Sequence, residues 1–326
     1  MLPMMSRTLR SVTLVAGLAM AALPAWGQAY PSSPVHLVVA YAAGGTGDVV
    51  ARIVAPKLST ALGQSVIVEN RAGASGAIGA RSVAVANPDG LTLLIGQTAE
   101  LAINQHWLKG LNYDPDKDLQ PVALLAVVPL ALVVPAKAPY STMAEFLAAL
   151  PAAKLTFASA GTGTPGHFAG ELLKAKTHGN LTHVPYKGAG PALNDIIGGH
   201  VDLYFSGMPA AMPQLKGGLA KVLAVSSAKR SGIAPDVPTV AESAGIKDFA
   251  FTLWAGVFAP RGTPPAIVAR LNSEINKVLN EPDTRARLVE AGADVEPMSV
   301  DQFRAFVDAE SGKYARIIKE TGVHSE

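Results

Sequence analysis

Cysteine is absent from all 326 residues of the chain. Its absence excludes disulfide bonds, a thiolate nucleophile, cysteine-bound metal sites and a lipid-modified N-terminal cysteine. Charged residues are also scarce, at 16% of the sequence, and 27 basic against 25 acidic residues leave a net charge of only +2. No overall field therefore indicates nucleic acid or an anionic membrane as a partner. Any anion that binds must be held by local geometry.

Aromatic residues make up only 6% of the chain, and the lysines and arginines do not cluster, so stacking platforms for nucleic acid are missing. The seven histidines show none of the short spacings of metal-binding motifs, which leaves a metal site without support. A serine motif at residues 73–77 lacks the last glycine of a nucleophile elbow, because Ala77 stands there. We therefore expect a protein without metal, cofactor or catalytic activity.

Hydrophobic residues, by contrast, form 49% of the sequence, enough for a large core and, at this length, for two domains. Arg7 and Arg10 precede an apolar run from Val12 to Leu23, and small residues follow at 25–29. The run is shorter than the ~20 residues that span a bilayer. This pattern predicts a cleaved signal peptide over residues 1–29 and a soluble mature protein in the periplasm, without a lipid anchor.

The remaining chain alternates apolar strands with helical segments in two blocks. The first block contains strands at 35–41, 65–68 and 91–95, and the second contains strands at 155–159 and 222–226. Strands that are apolar throughout are typical of parallel sheets covered by helices on both faces. Extended runs at 122–134 and 251–258 connect the blocks, and Pro129 in the first run suits a chain that leaves one sheet for another.

These features predict an α/β protein that forms a two-lobed clamp. Residues 30–128 and 256–326 are assigned to lobe 1, and residues 129–255 to lobe 2. Each lobe is predicted to be a mainly parallel sheet flanked by helices, with the C-terminal helices returning to the first lobe.

A glycine-rich turn joins a strand to a helix in each block: residues 44–48 (GGTGD) in the first and 161–164 (GTGT) in the second. Such turns leave backbone N–H groups uncovered at a helix N-terminus, where they attract anions. The first turn lacks both the third glycine of a dinucleotide fingerprint and the lysine of a phosphate loop, which disfavours a nucleotide. A tight turn that binds nothing stays open, as does an exported hydrolase using Ser159 and His167. We expect His167 to orient the second turn or cap its helix, and Asp48 to cap the first helix and shape its turn.

Eight motifs follow one another through the chain. They are Tyr41–Asp48 with Arg52, Val68–Ala74, Pro88–Leu94, Gly161–Thr164 with His167, Val184–Gly188, Gly199–Asp202, Val237–Glu242, and Trp254–Gly256 with Ala259–Pro264. Together they resemble the Bug-type solute-binding proteins, the periplasmic receptors of tripartite tricarboxylate transporters. The resemblance implies a Venus-flytrap fold that clamps a small carboxylate without catalysis. It also implies a monomer that delivers its ligand to the transporter's membrane subunits; a ligand-sensing receptor for a sensor kinase is the alternative.

The resemblance further implies that backbone amides and hydroxyl groups hold the carboxylate, and each helix N-terminus favours an anion by roughly 0.3–1 kcal/mol. Tyr41 is included as an aromatic residue able to line the pocket. The expected ligand-binding residues are Tyr41, Ala43, Gly45, Thr46, Asp48, Thr98 and Asn104 on one lobe, and Ser159, Gly161, Thr162 and Thr164 on the other.

Glu100 departs from the family pattern, because it follows the third strand where small or neutral residues are usual. A carboxylate facing the cleft would repel a di- or tricarboxylate, and it could instead pair with an ammonium or amide group of a different ligand. We expect Glu100 to point out of the cleft, because an unpaired buried charge is costly.

Overall fold

The computed structural model describes residues 30–232, 234–247 and 249–321. The predicted signal peptide, residues 1–29, lies outside these ranges. Across them the chain forms nine strands: β1 Val35–Val39, β2 Val66–Asn70, β3 Thr92–Gln97, β4 Leu119–Pro135, β5 Lys154–Ser159, β6 Asn180–Pro185, β7 Leu203–Gly207, β8 Ala220–Val225 and β9 Thr252–Pro260. In these residues no helix combines the length and the apolar character needed to cross a membrane.

Twelve α-helices lie between and after these strands in the same described ranges. They are α1 Thr46–Leu62, α2 Ala77–Ala84, α3 Asn104–Trp107, α4 Pro115–Asp118, α5 Met143–Ala149, α6 Pro165–Thr177, α7 Ala189–Gly198, α8 Met208–Lys216, α9 Val240–Ala244, α10 Pro265–Asn280, α11 Pro282–Glu290 and α12 Val300–Thr321. The predicted alternation of strands and helices is confirmed in both blocks.

The strands follow the order β2-β1-β3-β9-β4-β7-β5-β6, with β8 paired to β4. Strands within each block are parallel, as in β1–β2, β1–β3, β5–β6 and β5–β7, whereas β4 and β9 run antiparallel to their neighbours. Here lobe 1 denotes β2-β1-β3-β9 with its helices, and lobe 2 denotes β7-β5-β6-β8 with its helices.

The long strand β4 belongs to both lobes and changes partner at its proline. Pro129 is the last β4 residue paired with β9, opposite Thr252, and Leu130 is the first paired with β7, opposite Gly207. A proline cannot donate to a ladder and is therefore tolerated where pairing is interrupted. The predicted change of sheet at Pro129 is confirmed.

Helices cover both faces of each half of the sheet. In lobe 1, α1 and α10 bury Leu58, Leu271 and Ile275 on one face, while α2 and the first turns of α12 pack on the other. In lobe 2, α5, α6 and α9 cover one face, and α7 and α8 cover the opposite face. This layering explains why the strands are apolar throughout.

The C-terminal helix α12 packs on both lobes. Its residue Phe303 lies 6.1 Å, centroid to centroid, from the fully buried Trp254 on β9. Eleven residues later Tyr314 lies 6.1 Å from Phe168 on α6. At 22 residues the helix is about 33 Å long, which allows it to span the junction between the lobes.

Replacing Gly256 with alanine should destabilise the protein, because the added Cβ would lie 2.3 Å from Phe303 Cζ and 3.0 Å from the Ala123 carbonyl. Overpacking of this kind costs about 1–3 kcal/mol. The matched control is Gly312→Ala on α12, where a Cβ meets nothing within 4 Å and a helical alanine should stabilise slightly. Chemical denaturation of both variants measures the effect; equal or opposite shifts would contradict this account of the packing.

Candidate functional site

A small cavity lies where the two lobes meet. It sits at the carboxyl ends of strands from both lobes, the usual ligand position in α/β sheets, since Gln97 ends β3 and Gly207 ends β7. The cavity is lined by Tyr41, Gly45, Thr46, Gln97, Ala99, Leu130, Ala160, Thr164, Pro165, Gly166, Ala189, Tyr204, Phe205, Gly207 and Leu253. No Lys, Arg, His, Asp or Glu side chain belongs to this lining.

Four helices begin at this cavity. Their N-cap residues are Gly45 for α1, Thr164 for α6, Gly188 for α7 and Gly207 for α8, and none of the four caps its helix with a side chain. The first N–H groups of a helix have no partner within it, so they stay available to a ligand. Helices α10 and α11 also lack side-chain caps, so the convergence of four N-termini is the distinguishing feature.

Two side chains add polar groups to the cavity. Thr46 and Gln97 are 4% and 5% exposed, and neither the Thr46 hydroxyl nor the Gln97 amide makes a hydrogen bond to another described residue. Tyr41, Thr164 and Tyr204 also line the cavity, and much of the remaining lining is apolar, with Leu130, Phe205 and Leu253 among its members. The cavity therefore offers neutral hydrogen-bond donors at helix ends and an apolar wall between them.

The first glycine turn is held by Asp48. One carboxylate oxygen accepts the Gly44 N–H at 3.0 Å, and the other accepts Arg52 Nε at 3.0 Å. Burial opposes ionisation, but the hydrogen bonds from Arg52 and Gly44 outweigh it and lower the pKa of Asp48. Asp48 therefore shapes the turn, as expected, although the predicted cap is wrong because Gly45 is the N-cap. The Arg52 guanidinium offsets the negative charge of Asp48 beside the cavity.

The second glycine turn is held by two histidines. His167 Nδ1 accepts the Gly163 N–H at 3.1 Å, which confirms that His167 orients this turn. His183 Nε2 lies 2.7 Å from Ser159 Oγ, and the two imidazole centroids are 4.1 Å apart. Burial lowers the pKa of His167 to about 4 and the pKa of His183 to about 3. Both rings are therefore neutral at pH 7, and a neutral Nδ1 can accept the Gly163 proton.

Of the residues expected to bind ligand, four line the cavity: Tyr41, Gly45, Thr46 and Thr164. The other seven lie around it. Asp48 and Ser159 hold the turns as described, and Gly161 packs on Ser75, which would meet a Gly161 Cβ at 2.7 Å. The Thr98 hydroxyl accepts the Trp254 N–H at 3.1 Å, and Asn104 Nδ2 donates to the Ser75 carbonyl at 3.0 Å.

The last two of these residues, Ala43 and Thr162, meet the opposite lobe. The Ala43 carbonyl faces Gly190 so closely that a Cβ there would lie 2.3 Å from the oxygen. The Thr162 carbonyl accepts Ser75 Oγ at 2.5 Å, and the Ala42 N–H donates to the Lys187 carbonyl at 3.2 Å. These contacts join the two lobes beside the cavity.

The sequence reasoning missed several residues that line the cavity, including Gln97, Ala189 and Gly207. Gly207 had a usable signal, because a buried strand, a glycine and a proline at the start of a helix follow one another there. Ala189 directly follows the Val184–Gly188 motif. His183 had no local signal, because its contact with Ser159 depends on the pairing of β5 with β6.

Glu100 does not point out of the cleft, so that expectation is wrong. Its side chain is fully buried beneath the cavity, where Oε2 lies 3.0 Å from Tyr41 Oη and Oε1 accepts the Gln97 N–H at 2.7 Å. Burial raises the pKa of Glu100 to about 8. The cost of burying a charge is avoided because the group is buried as a neutral, hydrogen-bonded acid.

The fold and the cavity together define a periplasmic binding protein of the α/β class. Two solved Rhodopseudomonas palustris proteins share this structure: one with adipate, 36% identical with a TM-score of 0.87 over 90% of this chain and 99% of that one, and MatC with bound malate, 35% identical with a TM-score of 0.83 over 89% and 100%. Both matches support the two-lobed fold.

Residues 50–323 match the model of the tripartite tricarboxylate transporter family receptor, TctC. The chain is also 35% identical to the protein BugT of Bordetella pertussis over 321 residues, which covers 98% of each protein. The chain therefore belongs to the TctC family of periplasmic solute receptors. The resemblance found in the sequence is confirmed, as are the fold class and the prediction that the protein is a receptor and not an enzyme.

Exchanging Glu100 for glutamine should remove part of the pH dependence of stability. The unfolded carboxyl ionises near pH 4.5 and the folded one near pH 8, so the folded state holds more protons and the wild-type protein loses stability as pH rises through this window. Each pKa unit corresponds to about 1.4 kcal/mol. Glu100→Gln should therefore gain stability relative to wild type between pH 5 and pH 9.

Urea denaturation across this pH range measures the difference. The control is Glu296→Gln, because Glu296 is an exposed carboxylate of the same type. Parallel pH profiles for wild type and Glu100→Gln would show that Glu100 ionises normally in the folded protein.

Proposed function

We propose that this receptor closes its two lobes over a small carboxylate in the periplasm and delivers it to the membrane subunits of a tripartite tricarboxylate transporter. One observation carries the proposal: four uncapped helix N-termini meet at a cavity without charged side chains. Helix N-termini stabilise anions through free N–H groups and the helix dipole, by roughly 0.3–1 kcal/mol each and up to ~2 kcal/mol where partly buried.

The arrangement favours a ligand with more than one anionic group. Helix α1 approaches from lobe 1, whereas α6, α7 and α8 approach from lobe 2, so carboxylates at two ends of a molecule can each meet backbone donors. The apolar wall suits a carbon chain between them. Malate and adipate, which the two solved relatives hold, are both dicarboxylates.

We assign direct ligand contacts to the predicted residues Tyr41, Gly45, Thr46 and Thr164, together with Gln97, Ala189 and Gly207. The other predicted residues, Ala43, Asp48, Thr98, Asn104, Ser159, Gly161 and Thr162, shape the turns and the contacts between lobes. The proposed lobe boundaries remain 30–128 with 256–326 for lobe 1 and 129–255 for lobe 2, with β4 and β9 as the connections that bend on closure. The proposed mature protein is a monomer without its signal peptide.

Small carboxylates should raise the melting temperature of the purified mature protein. A ligand at 100 times its dissociation constant adds about 2.7 kcal/mol to the free energy of unfolding. The screen uses malate, adipate, other organic acids, acidic amino acids and aromatic acids. The diamide of adipate, which has the same carbon chain without charge, is the control for adipate. Sodium chloride at matched ionic strength is the control for salt effects. No shift with any carboxylate would contradict the proposed function.

Gly190→Ala should weaken ligand binding without destabilising the unliganded protein. The new Cβ would lie 2.3 Å from the Ala43 carbonyl of the opposite lobe, and a backbone atom cannot give way easily. Closure then carries an overpacking cost. A loss of about 1.4 kcal/mol in binding free energy raises the dissociation constant tenfold. Calorimetric titration with the best ligand from the screen measures this, with Gly312→Ala as the control. Unchanged affinity for Gly190→Ala would show that binding does not need this closed contact.

A further inference from the structure

A second concave surface lies on the outside of the molecule, away from the cavity. We call it the α2 groove; it is lined chiefly by Ala74, Ile78, Arg81, Leu108, Lys109 and Leu111. One wall is the outer face of α2 and the turn before it, and the other is the loop between α3 and α4. Ile78 is 55% exposed at the groove, and Val85, the residue directly after α2, is 59% exposed. Large aliphatic side chains exposed at this level are characteristic of an interaction surface when they occur together.

The charges of the α2 groove have one sign. Arg81 and Lys109 line it, no carboxylate does, and neither cation forms an ion pair with another residue in the described ranges. Two unpaired cations beside exposed aliphatic carbon complement a protein segment that carries carboxylates next to an aliphatic side chain.

The two walls of the α2 groove are anchored differently. Helix α2 packs on lobe 1, where Ala80 and Val83 join the cluster around Trp254. The other wall contacts both lobes: it follows Trp107, whose ring lies 5.2 Å from Phe168 on α6 in the core of lobe 2, and its Leu111 packs against the lobe 1 cluster. A movement of one lobe relative to the other therefore acts on this second wall and changes the shape of the groove.

The turn that precedes α2 is also strained and contacts lobe 2. Four consecutive residues have positive φ, and two of them, Ala74 (46°) and Ser75 (50°), are not glycine. Such conformations persist only where surrounding contacts enforce them. Ser75 has those contacts: its hydroxyl donates to the Thr162 carbonyl of lobe 2, and its carbonyl accepts Asn104 Nδ2. Ala74, on the outer side of this turn, lines the groove.

We infer that the α2 groove docks an acidic, aliphatic segment of the membrane protein that receives the ligand, and that it takes its docking shape when the lobes close. This inference rests on the proposed function, since it assigns a surface to the partner of the same receptor. The partner segment places an aliphatic side chain against Ile78 and Leu111 and carboxylates against Arg81 and Lys109. The membrane protein can thereby distinguish a closed receptor from an open one through a surface remote from the ligand.

The first test is photocrosslinking of the full chain in cells of the organism whose gene encodes it, with p-benzoylphenylalanine in place of Ile78. The matched control places the same group at Ile67, an aliphatic residue of β2 that is 41% exposed. With malate or adipate added, position 78 should crosslink to an integral membrane protein at several times the yield of position 67. The crosslinked peptide should contain Asp or Glu beside an aliphatic residue. Equal yields, no crosslink, or crosslinks to lipid or to a second copy of this chain would overturn the inference.

The second test reverses the charges of the groove with the double variant Arg81→Glu, Lys109→Glu. Uptake of malate or adipate by cells carrying only this variant should fall at least about fivefold, while the dissociation constant of the purified variant stays within about twofold of wild type. The control is Lys154→Glu, Lys176→Glu, which reverses two exposed cations on lobe 2. Normal uptake with the groove variant would overturn the inference. Failure of the wild-type protein to bind any carboxylate would instead contradict the proposed function, whereas normal binding with equal crosslinking yields would contradict only the docking surface.

Discussion

On the proposed function, the structure depends on one constraint: an anion must be held between two lobes without a buried cation. Backbone N–H groups must then supply the hydrogen bonds, which requires helices that begin at the cavity with no side chain covering their first turn. Glycine N-caps at 45, 188 and 207 meet this requirement. Helices α5 and α9 lie elsewhere and carry complete capping boxes, Thr142 with Glu145 and Thr239 with Glu242. The complete capping boxes thus lie away from the cavity, where no helix start has to face a ligand.

The two glycine turns at the cavity are held in shape by polar side chains, and the surroundings of these side chains set their protonation states. Asp48 is ionised because Arg52 and Gly44 donate to it, and it fixes the first turn. His167 and His183 are neutral because they are buried, and they fix the second turn through Gly163 and Ser159. These side chains adjust the shape of the site without adding net charge to its wall.

The pattern of the sequence was sufficient for the main elements of the fold. Apolar runs located most of the strands, Pro129 marked the change of sheet, and the two glycine turns located helices α1 and α6, which begin at the cavity. What local spacing could not show depended on register between distant segments. Ser159 was expected to face the ligand, but its own neighbour across the sheet, His183, lies 24 residues away and occupies its hydroxyl. Glu100 was expected outside because its partner Tyr41, 59 residues earlier, is not visible in a local pattern.

The neutral state of Glu100 also decides how the cavity is connected to the opposite lobe. The Tyr41 hydroxyl has one proton and two neighbours, Glu100 Oε2 at 3.0 Å and the Ser75 carbonyl at 3.1 Å. When Glu100 is protonated it donates to Tyr41, and Tyr41 keeps its own proton for Ser75. Ser75 in turn donates to the Thr162 carbonyl, so a single hydrogen-bonded path runs from beneath the ligand loop to the second glycine turn. An ionised Glu100 would draw the Tyr41 proton to itself and leave the Ser75 carbonyl with Asn104 alone. Burying this acid therefore stabilises the strained turn at residues 73–76, which joins the two lobes through Ser75 and Thr162.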